Sequence, residues 1–238
     1  MQNKKKVVVI VPIKENSTRV KKKNFKKIKG IPLYKITLNK LKKCNFDEIY
    51  VDSDSKEIEK YCRSEKIKFI KRKPFLATDK ANGNHLLNYH RKLIDADYYF
   101  QILITSPLLK IKTINDCISY LKESKSHDSI FTSQKINTFF WFKNKPVNYI
   151  PKELPRSQDL RPLIIETTSL YGIKKNSLDR YKCRIGKKPY FYEVDDFEAI
   201  DLNNKKDFEY LEYLIKNNFS KSKNIAKKQK EYLNFYKK

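Results

Sequence analysis

The sequence predicts an α/β protein with a mostly parallel sheet, and two observations favour this fold class. The first is the apolar run Val-Val-Val-Ile-Val at residues 7–11, which lacks the alternation of a half-exposed strand and is typical of a strand buried on both faces. The second is the alternation of predicted strands and helices through the first half of the 238-residue chain. Ligands of such sheets bind beyond the carboxyl ends of the strands, so the loop after this first strand is the first candidate for a site.

Each further element is predicted from apolar spacing and from the residues that bound it. Short apolar runs predict strands at residues 48–51, 67–70, 98–104, 129–133, 164–173 and 189–194. Apolar stripes at helical spacing predict helices that begin near Leu33, Ser55, Asn84, Thr113 and Asp207. Pro32 stands just before the first of these helices, where proline is well tolerated.

Residues 134–165 interrupt this alternation. The segment carries the run Phe-Phe-Trp-Phe at residues 139–142 and four prolines. We interpret it as an arm inserted into a single domain of residues 1–220, because exposed aromatic side chains often bury against a partner subunit. The chain is therefore expected to form a homodimer. Residues 221–238 form a predicted Lys-rich C-terminal tail.

The net charge of +26 allows two interpretations. One is a polyanionic partner such as nucleic acid, an anionic membrane or a polyphosphate. The other is a compositional bias of an A- and T-rich genome, which produces abundant lysine, asparagine and isoleucine. The lysines are spread along the whole chain, which favours the bias, with attraction of an anionic ligand to the site as a secondary effect. We therefore expect no nucleic-acid partner.

The cysteines and the N-terminal segment predict the compartment. The four cysteines have neither metal-binding nor redox spacing, which is typical of small buried side chains in a reducing compartment. The first apolar run is too short for a signal sequence or a membrane span. The expectation is a cytoplasmic protein without stable membrane insertion.

The loop after the first strand carries the residues that point most clearly to a ligand. It combines three cations with three hydrogen-bonding side chains: Lys14, Arg19, Lys23, Asn16, Ser17 and Asn24. Cations and amide groups gathered in one loop suit a polyphosphate.

Seven segments in order also match the pattern of a known family. They are the loop of residues 12–24, Gly-Ile-Pro-Leu at 30–33, Val-Asp-Ser-Asp-Ser-Lys-Glu-Ile at 51–58, Leu-Ala-Thr-Asp at 76–79, Thr-Ser-Pro-Leu at 105–108, Arg-Ser-Gln-Asp at 156–159, and Ile-Asp-Leu-Asn at 200–203 followed by Asp-Phe at 207–208. Together they resemble the acylneuraminate cytidylyltransferase family, which includes CMP-sialic acid and CMP-Kdo synthetases. The resemblance covers residues 7–215.

This resemblance implies a fold, a reaction and a set of site residues. The fold would be a Rossmann-like nucleotidyltransferase domain with a dimerisation arm. The reaction would join CTP to an acidic sugar, such as a 2-keto-3-deoxy sugar acid, and release pyrophosphate with the help of Mg²⁺. The catalytic residues would be Lys14, Arg19 and Lys23. The nucleotide would be bound by Pro12, Asn16, Ser17, Asn24, Arg72, Asp79, Asn82 and Gly83. The acceptor would be bound by Gln101, Thr105, Ser106, Arg156, Gln158 and Tyr192, and the metal by Asp201 and Asn203.

Some residues depart from the family pattern, and alternatives stay open for others. Lys14 stands where the family has arginine, Asn203 stands where it has a second aspartate, and Asn16 is a third departure. These departures leave room for another anionic acceptor, such as a sugar phosphate or phosphonate, and a non-catalytic polyanion-binding protein is a further alternative. Asn82 could instead cap a helix, and Tyr192 could instead pack as an ordinary strand residue.

Overall fold

A seven-stranded sheet forms the centre of the computed structural model, which describes residues 4–17 and 20–217. The strands in chain order are β1 (Val7–Ile13), β2 (Lys27–Ile28), β3 (Ile31–Pro32), β4 (Glu48–Ser53), β5 (Lys68–Lys71), β6 (Tyr98–Ile102), β7 (Ser129–Ile136), β8 (Trp141–Phe142), β9 (Lys145–Pro146), β10 (Leu163–Lys174) and β11 (Pro189–Glu193). The helices are α1 (Leu33–Leu41), α2 (Lys56–Ser64), α3 (Gly83–Leu93), α4 (Ile111–Glu123), α5 (Lys175–Tyr181) and α6 (Lys205–Lys216).

The strand order of the main sheet is β11-β7-β10-β6-β1-β4-β5. Pairing is parallel among β6, β1, β4 and β5 and between β7 and β11, whereas β10 runs antiparallel to both of its neighbours. The expectation of a mostly parallel α/β sheet is therefore confirmed. The carboxyl ends of β1, β4, β5 and β6 lie along one edge, which is where such sheets bind ligands.

Strand β1 is buried on both faces, as its unbroken apolar run predicts. Val7, Val9 and Val11 pack in a core with α1, α2, α4 and α6, while Val8 and Ile10 pack on the opposite face against α3 and α5. The strand continues two residues beyond the predicted end and includes Pro12. Its pairing with β6 ends at Ile10, so Pro12 lies where only β4 flanks the strand and a missing N–H is tolerated.

The predicted arm region, residues 134–165, includes the end of β7 and the start of β10, which pair with each other, so the irregular part is shorter than predicted. The small hairpin of β8 and β9 is part of it. Its apolar side chains are largely exposed: Trp141 at 57%, Phe142 at 67%, Ile150 at 57% and Leu154 at 67%. We call these four residues the arm patch. A contiguous segment with this much exposed apolar surface is suited to contact with another chain.

The cysteines, the helices and the C-terminal tail were also subjects of prediction. The four cysteines are free, and Cys62 and Cys117 are buried. Across residues 4–17 and 20–217, none of the helices has the length and apolar character needed to traverse a bilayer. The predicted tail at residues 221–238 lies outside the described residues.

Candidate active site

A cleft of about 630 Å³ opens at the carboxyl edge of the central strands. Its walls come from the loop after β1, the segment after β5, the loop after β6, β10, and the segment before α6. The predicted site residues that line it are Pro12, Lys14, Asn16, Ser17, Lys23, Asn24, Arg72, Asp79, Thr105, Asp201 and Asn203. Residues far apart in the chain therefore meet in one cleft, although their binding roles stay predictions.

The loop after β1 is held in shape by its own polar groups. Lys22 adopts a left-handed conformation (φ 51°) and leads into a short 3-10 helix at Lys23–Phe25. Asn24 Nδ2 donates to the Lys14 carbonyl at 2.7 Å, and Asp54 Oδ1 accepts from the Glu15 N–H at 2.8 Å. The loop is thus anchored to itself and to the segment that follows β4.

The two predicted lysines of this loop differ in environment. Lys23 is only 8% exposed, and its Nζ donates to the Leu202 carbonyl at 3.0 Å, which ties the loop to the segment before α6. The Lys14 Nζ pairs with Asp79 Oδ1 at 2.9 Å, and the Asp79 side chain is 70% exposed. An ion pair this exposed is weak, so Lys14 can exchange Asp79 for a more highly charged phosphate.

The metal-ligand candidates Asp201 and Asn203 also line the cleft, on either side of the Leu202 carbonyl that Lys23 contacts. Asp201 Oδ2 accepts from Asn203 Nδ2 at 2.7 Å and from Thr168 Oγ1 at 3.0 Å. Within the described part of the chain, the buried Asp201 Oδ1 has no hydrogen-bond partner. An unpartnered carboxylate oxygen in a cleft is a suitable ligand for a hard cation. No group of three or more His, Cys, Asp or Glu side chains in residues 4–17 and 20–217 is arranged to hold a metal by itself.

Two predicted nucleotide-binding residues serve a helix instead of lining the cleft. The Asn82 side chain accepts from the backbone N–H groups of Asn84 (3.0 Å) and His85 (3.1 Å), and so caps α3. Gly83 begins the helix, and a Cβ there would come within 2.6 Å of Arg184 Nη1 and 2.9 Å of Gln101 Oε1. The close approach at Gly83 is therefore to the ends of two flexible side chains of the protein.

Three predicted acceptor residues are held behind or away from the cleft lining. Gln101 is fully buried, donates to the Gly83 carbonyl at 3.2 Å and accepts from Arg184 Nη1 at 3.3 Å. Ser106 is also buried, and its Oγ accepts from Ser169 Oγ at 2.8 Å. Tyr192 donates to Asp116 Oδ2 on α4 at 2.8 Å. Burial and this hydrogen bond raise the pKa of the Tyr192 phenol.

Two further predicted residues lie in the arm region. Arg156 and Gln158 are exposed in the arm region, and Arg156 Nε donates to Asp159 Oδ2 at 2.7 Å. Neither lines the cleft of its own chain. Arg19 lies outside the described residues.

Sequence reasoning missed two residues near the site. Thr168 lines the cleft and bonds Asp201, and its φ of 55° lies in the left-handed region, which is rare for a β-branched residue. The Arg184 guanidinium lies 3.6 Å from the centre of the Tyr171 ring and bonds Gln101. Neither residue belongs to a matched segment, so no local pattern could have indicated it.

The sheet order, the cationic loop after β1 and the Asp201 carboxylate in the same cleft suit a nucleotide-binding α/β protein. Comparison with known sequences agrees: residues 8–234 match the model of the family described as cytidylyltransferase. That match spans most of the chain, so this protein belongs to the cytidylyltransferase family.

Individual relatives share about a quarter of their aligned residues with this chain. N-acylneuraminate cytidylyltransferase A of Danio rerio is 26% identical over 191 residues, which are 76% of this chain and 44% of that protein. N-acylneuraminate cytidylyltransferase of Streptococcus agalactiae is 24% identical over 219 residues, 85% of this chain and 52% of that protein. The chain thus spans about half the length of these curated relatives. The 3-deoxy-manno-octulosonate cytidylyltransferase of Rickettsia typhi is 27% identical over 194 residues, 74% of this chain and 76% of that protein.

Solved structures support the fold. A CMP:2-keto-3-deoxy-manno-octonic acid synthetase complexed with CTP superposes with a TM-score of 0.68 at 15% identity, covering 90% of this chain and 99% of the other. A 4-diphosphocytidyl-2C-methyl-D-erythritol synthase from Anaerococcus prevotii superposes with a TM-score of 0.61 at 12% identity, covering 89% and 96%. The expected Rossmann-like nucleotidyltransferase fold is confirmed.

Proposed function

We propose that this protein transfers CMP from CTP to an acidic sugar, such as a 2-keto-3-deoxy sugar acid, and releases pyrophosphate for the synthesis of surface glycans. The observation that carries the proposal is the cleft that Lys14 and Lys23 line together with Asp201, whose Oδ1 has no hydrogen-bond partner among the described residues. The cations suit a triphosphate, and the carboxylate in the same cleft suits its metal ion. Relatives named for sialic acid and Kdo support an acidic sugar as the acceptor.

The reaction requires positioning and charge neutralisation more than covalent help from the protein. An acceptor oxygen attacks the α-phosphorus of CTP, a new oxygen–phosphorus bond forms, and the bond to pyrophosphate breaks. Lys14 would leave Asp79 and neutralise charge on the departing phosphates. Lys23, fixed by its bond to the Leu202 carbonyl, would hold the triphosphate without having to reorganise.

The proposed Mg²⁺ fits the residues present. Asp201 offers one free carboxylate oxygen, and Asn203 offers an amide carbonyl in place of a second carboxylate. Mg²⁺ is commonly held by one or two protein ligands together with substrate phosphates and water. When bound, the ion would withdraw charge from the phosphate oxygens. Thr168 keeps the Asp201 carboxylate turned toward the cleft.

We also propose that the protein works as a cytoplasmic homodimer joined through the arm patch. The exposed aromatic side chains of this patch support the association, and the four free cysteines support a reducing compartment. Arg156 and Gln158, which are exposed in the arm region, would then be available to the acceptor in the partner's cleft.

Pyrophosphate release tests the proposal. Purified protein would be incubated with Mg²⁺, each of the four ribonucleoside triphosphates, and a panel of 2-keto-3-deoxy sugar acids, sugar phosphates and phosphonates. We expect release with CTP and a sugar acid only. Release with a phosphate or phosphonate acceptor would replace the sugar acid in the proposal. No release, combined with steeply salt-dependent binding to generic polyanions, would reject enzymatic function.

A further inference from the structure

Arg184, in the segment between α5 and β11, is held in place by three contacts with other elements. Its Cζ lies 3.6 Å from the centre of the Tyr171 ring on β10. Its Nη1 donates to Gln101 Oε1 on β6 at 3.3 Å, and its backbone N–H donates to Asn84 Oδ1 on α3 at 3.0 Å. The guanidinium is therefore fixed by protein contacts alone, although the residue remains partly exposed.

The ring beneath this guanidinium connects it to the cleft. Tyr171 follows Thr168 by three residues on β10, and Thr168 both lines the cleft and donates to Asp201. Burial raises the pKa of the Tyr171 phenol, while the nearby charge of Arg184 lowers it and that of Asp201 raises it. Both charges thus lie within electrostatic reach of one ring, so Arg184 borders the part of the cleft that Thr168 and Asp201 line.

The guanidinium of Arg184 has N–H groups to offer to an anion. Other arginines of the described chain pair with a carboxylate, namely Arg63, Arg72, Arg91 and Arg156. Among the described residues no ion pair involves Arg184, and Gln101 takes one of its five N–H groups. Stacking on a ring leaves the in-plane edge of a guanidinium open, and two parallel N–H groups on that edge match the two oxygens of a carboxylate.

Aromatic side chains continue from Tyr171 across the sheet. The ring centre of Phe131 on β7 lies 6.0 Å from that of Tyr171, and the ring centre of Phe191 on β11 lies 5.1 Å from that of Phe131. The first two rings are buried, whereas Phe191 is 45% exposed. A cation thus stands beside a row of rings with an exposed apolar end. A sugar acid has the matching composition, with a carboxylate next to a ring that carries C–H groups.

We propose that Arg184 determines acceptor specificity by binding the carboxylate of the sugar acid through the open edge of its guanidinium. The inference rests on the proposed function, since it assumes that the cleft joins CTP to such an acid. Arg184 lies in none of the segments that match the family pattern, so the resemblance assigns it no role. Gln101 and Tyr171 support the guanidinium and keep it in place.

Steady-state kinetics test the inference with CTP, Mg²⁺ and the sugar acid that gives the fastest pyrophosphate release in the wild type. Arg184→Leu keeps an apolar side chain on the Tyr171 ring but removes the charge and the N–H groups. We expect KM for the acid to rise about 10- to 100-fold, as for the loss of a charged hydrogen-bonded pair. KM for CTP should stay close to the wild-type value. Arg184→Lys keeps the charge without the fork and should give an intermediate KM for the acid.

The methyl ester of the same acid identifies the group that Arg184 binds. Because the ester lacks the carboxylate charge, it should inhibit the wild type far more weakly than the acid binds. Arg184→Leu should be inhibited by the ester about as the wild type is, so that the preference for acid over ester largely disappears.

Arg180 provides the matched control. It also stands over a tyrosine ring, with its Cζ 5.5 Å from the centre of the Tyr181 ring, but it is exposed on α5. Arg180→Leu should leave KM for the acid and KM for CTP unchanged.

The outcomes distinguish the two proposals. A wild type that releases no pyrophosphate with any sugar acid would reject the proposed function and this inference with it. An active wild type whose KM for the acid is unchanged in Arg184→Leu would reject the inference alone. Equal rises in KM for the acid and for CTP would also reject it, since they indicate general damage to the cleft. If Arg184→Leu does not fold, an unchanged KM for the acid in Arg184→Lys would reject the inference.

Discussion

At the scale of single residues, burial distinguishes Lys23 from the neighbouring lysines of its loop. Lys21 and Lys22 are exposed, whereas Lys23 lies against the cleft and bonds the Leu202 carbonyl. In a chain with 53 lysines and arginines, charge alone cannot identify a functional lysine. A buried ammonium that lines a cleft has lost much of its hydration, and an anionic ligand would compensate for that loss.

Replacing Lys23 should therefore impair catalysis while the fold survives. We expect Lys23→Ala to lower turnover by orders of magnitude, because a fixed positive charge at the triphosphate is lost. The measurement is steady-state pyrophosphate release, with circular dichroism to verify folding. Lys21→Ala, which removes an exposed charge two residues earlier, is the matched control and should retain near-normal turnover. Equal turnover in both variants would remove Lys23 from the site.

Asp201 is the second residue whose environment suggests a role. Its Oδ1 is buried and unpartnered among the described residues, while Oδ2 is held by Thr168 and Asn203. We expect Asp201→Asn to raise the Mg²⁺ concentration needed for half-maximal activity about tenfold or more, since one anionic ligand is lost. Titration of activity against Mg²⁺ measures this. An unchanged Mg²⁺ requirement would show that the metal is bound elsewhere.

At the scale of elements, strand β10 contains one residue, Thr168, with a left-handed backbone conformation. It lies where the register of β10 against β7 shifts between Glu166 and Tyr171. A β-branched residue in this conformation costs about 1–2 kcal/mol. The irregularity turns the Thr168 hydroxyl toward Asp201, so β10 combines its sheet pairing with a contribution to the site.

Ion pairs at Glu48, the first residue of β4, tie this strand to neighbouring segments. Glu48 is paired with Lys6 at 2.8 Å and with Lys68 on β5, and it accepts from Tyr50 Oη at 2.5 Å. Burial alone would raise the pKa of Glu48, but these hydrogen bonds outweigh it and lower the pKa from 4.5 to about 2. A depressed carboxyl pKa stabilises the fold above the unfolded value and ceases to do so as pH falls through the folded value.

This argument predicts a defined pH dependence for Glu48→Gln. The free energy of unfolding of the wild type should exceed that of the variant by about 1–2 kcal/mol at pH 6, after allowance for partial solvent exposure. The difference should shrink between pH 4.5 and pH 2. Urea denaturation across this range measures it. Glu209→Gln, whose partner Lys205 is 84% exposed, should show no such trend, and a constant difference for Glu48→Gln would contradict the assignment.

At the scale of the whole molecule, the arm patch bears on the oligomeric state. Its aromatic and aliphatic side chains are each more than half exposed, whereas most apolar side chains of the described strands and helices pack in two cores. The positive charge of the chain opposes association between copies, so apolar contact would have to outweigh it.

Disrupting the patch should therefore change the oligomeric state. We expect the wild type to have the mass of a dimer in multi-angle light scattering, and the double variant Trp141→Ser and Phe142→Ser to have that of a monomer. Leu93→Ser changes a similarly exposed apolar residue at the end of α3, away from the arm, and should remain dimeric. A monomeric wild type would reject the proposed homodimer.

Local patterns determined the fold class, most of the elements and the composition of the cleft loop. The apolar run of β1 and the helix stripes depend on residues close in sequence, so periodicity predicts them. Helix α5 was not predicted from the sequence. The matched segments indicated Lys14, Lys23 and Asp201 as site residues, and the structure brings these together in one cleft.

Only the tertiary structure decided which polar side chains contact one another. Asp52 on β4 bonds Arg72, from the segment after β5, and His90 on α3, and nothing local relates them. Gln101, predicted to bind the acceptor, hydrogen-bonds the Gly83 carbonyl and Arg184, contacts that no local pattern indicated. Side-chain partners depend on which elements meet across the sheet, and those long-range contacts are fixed by the packing of the whole core rather than by neighbouring residues.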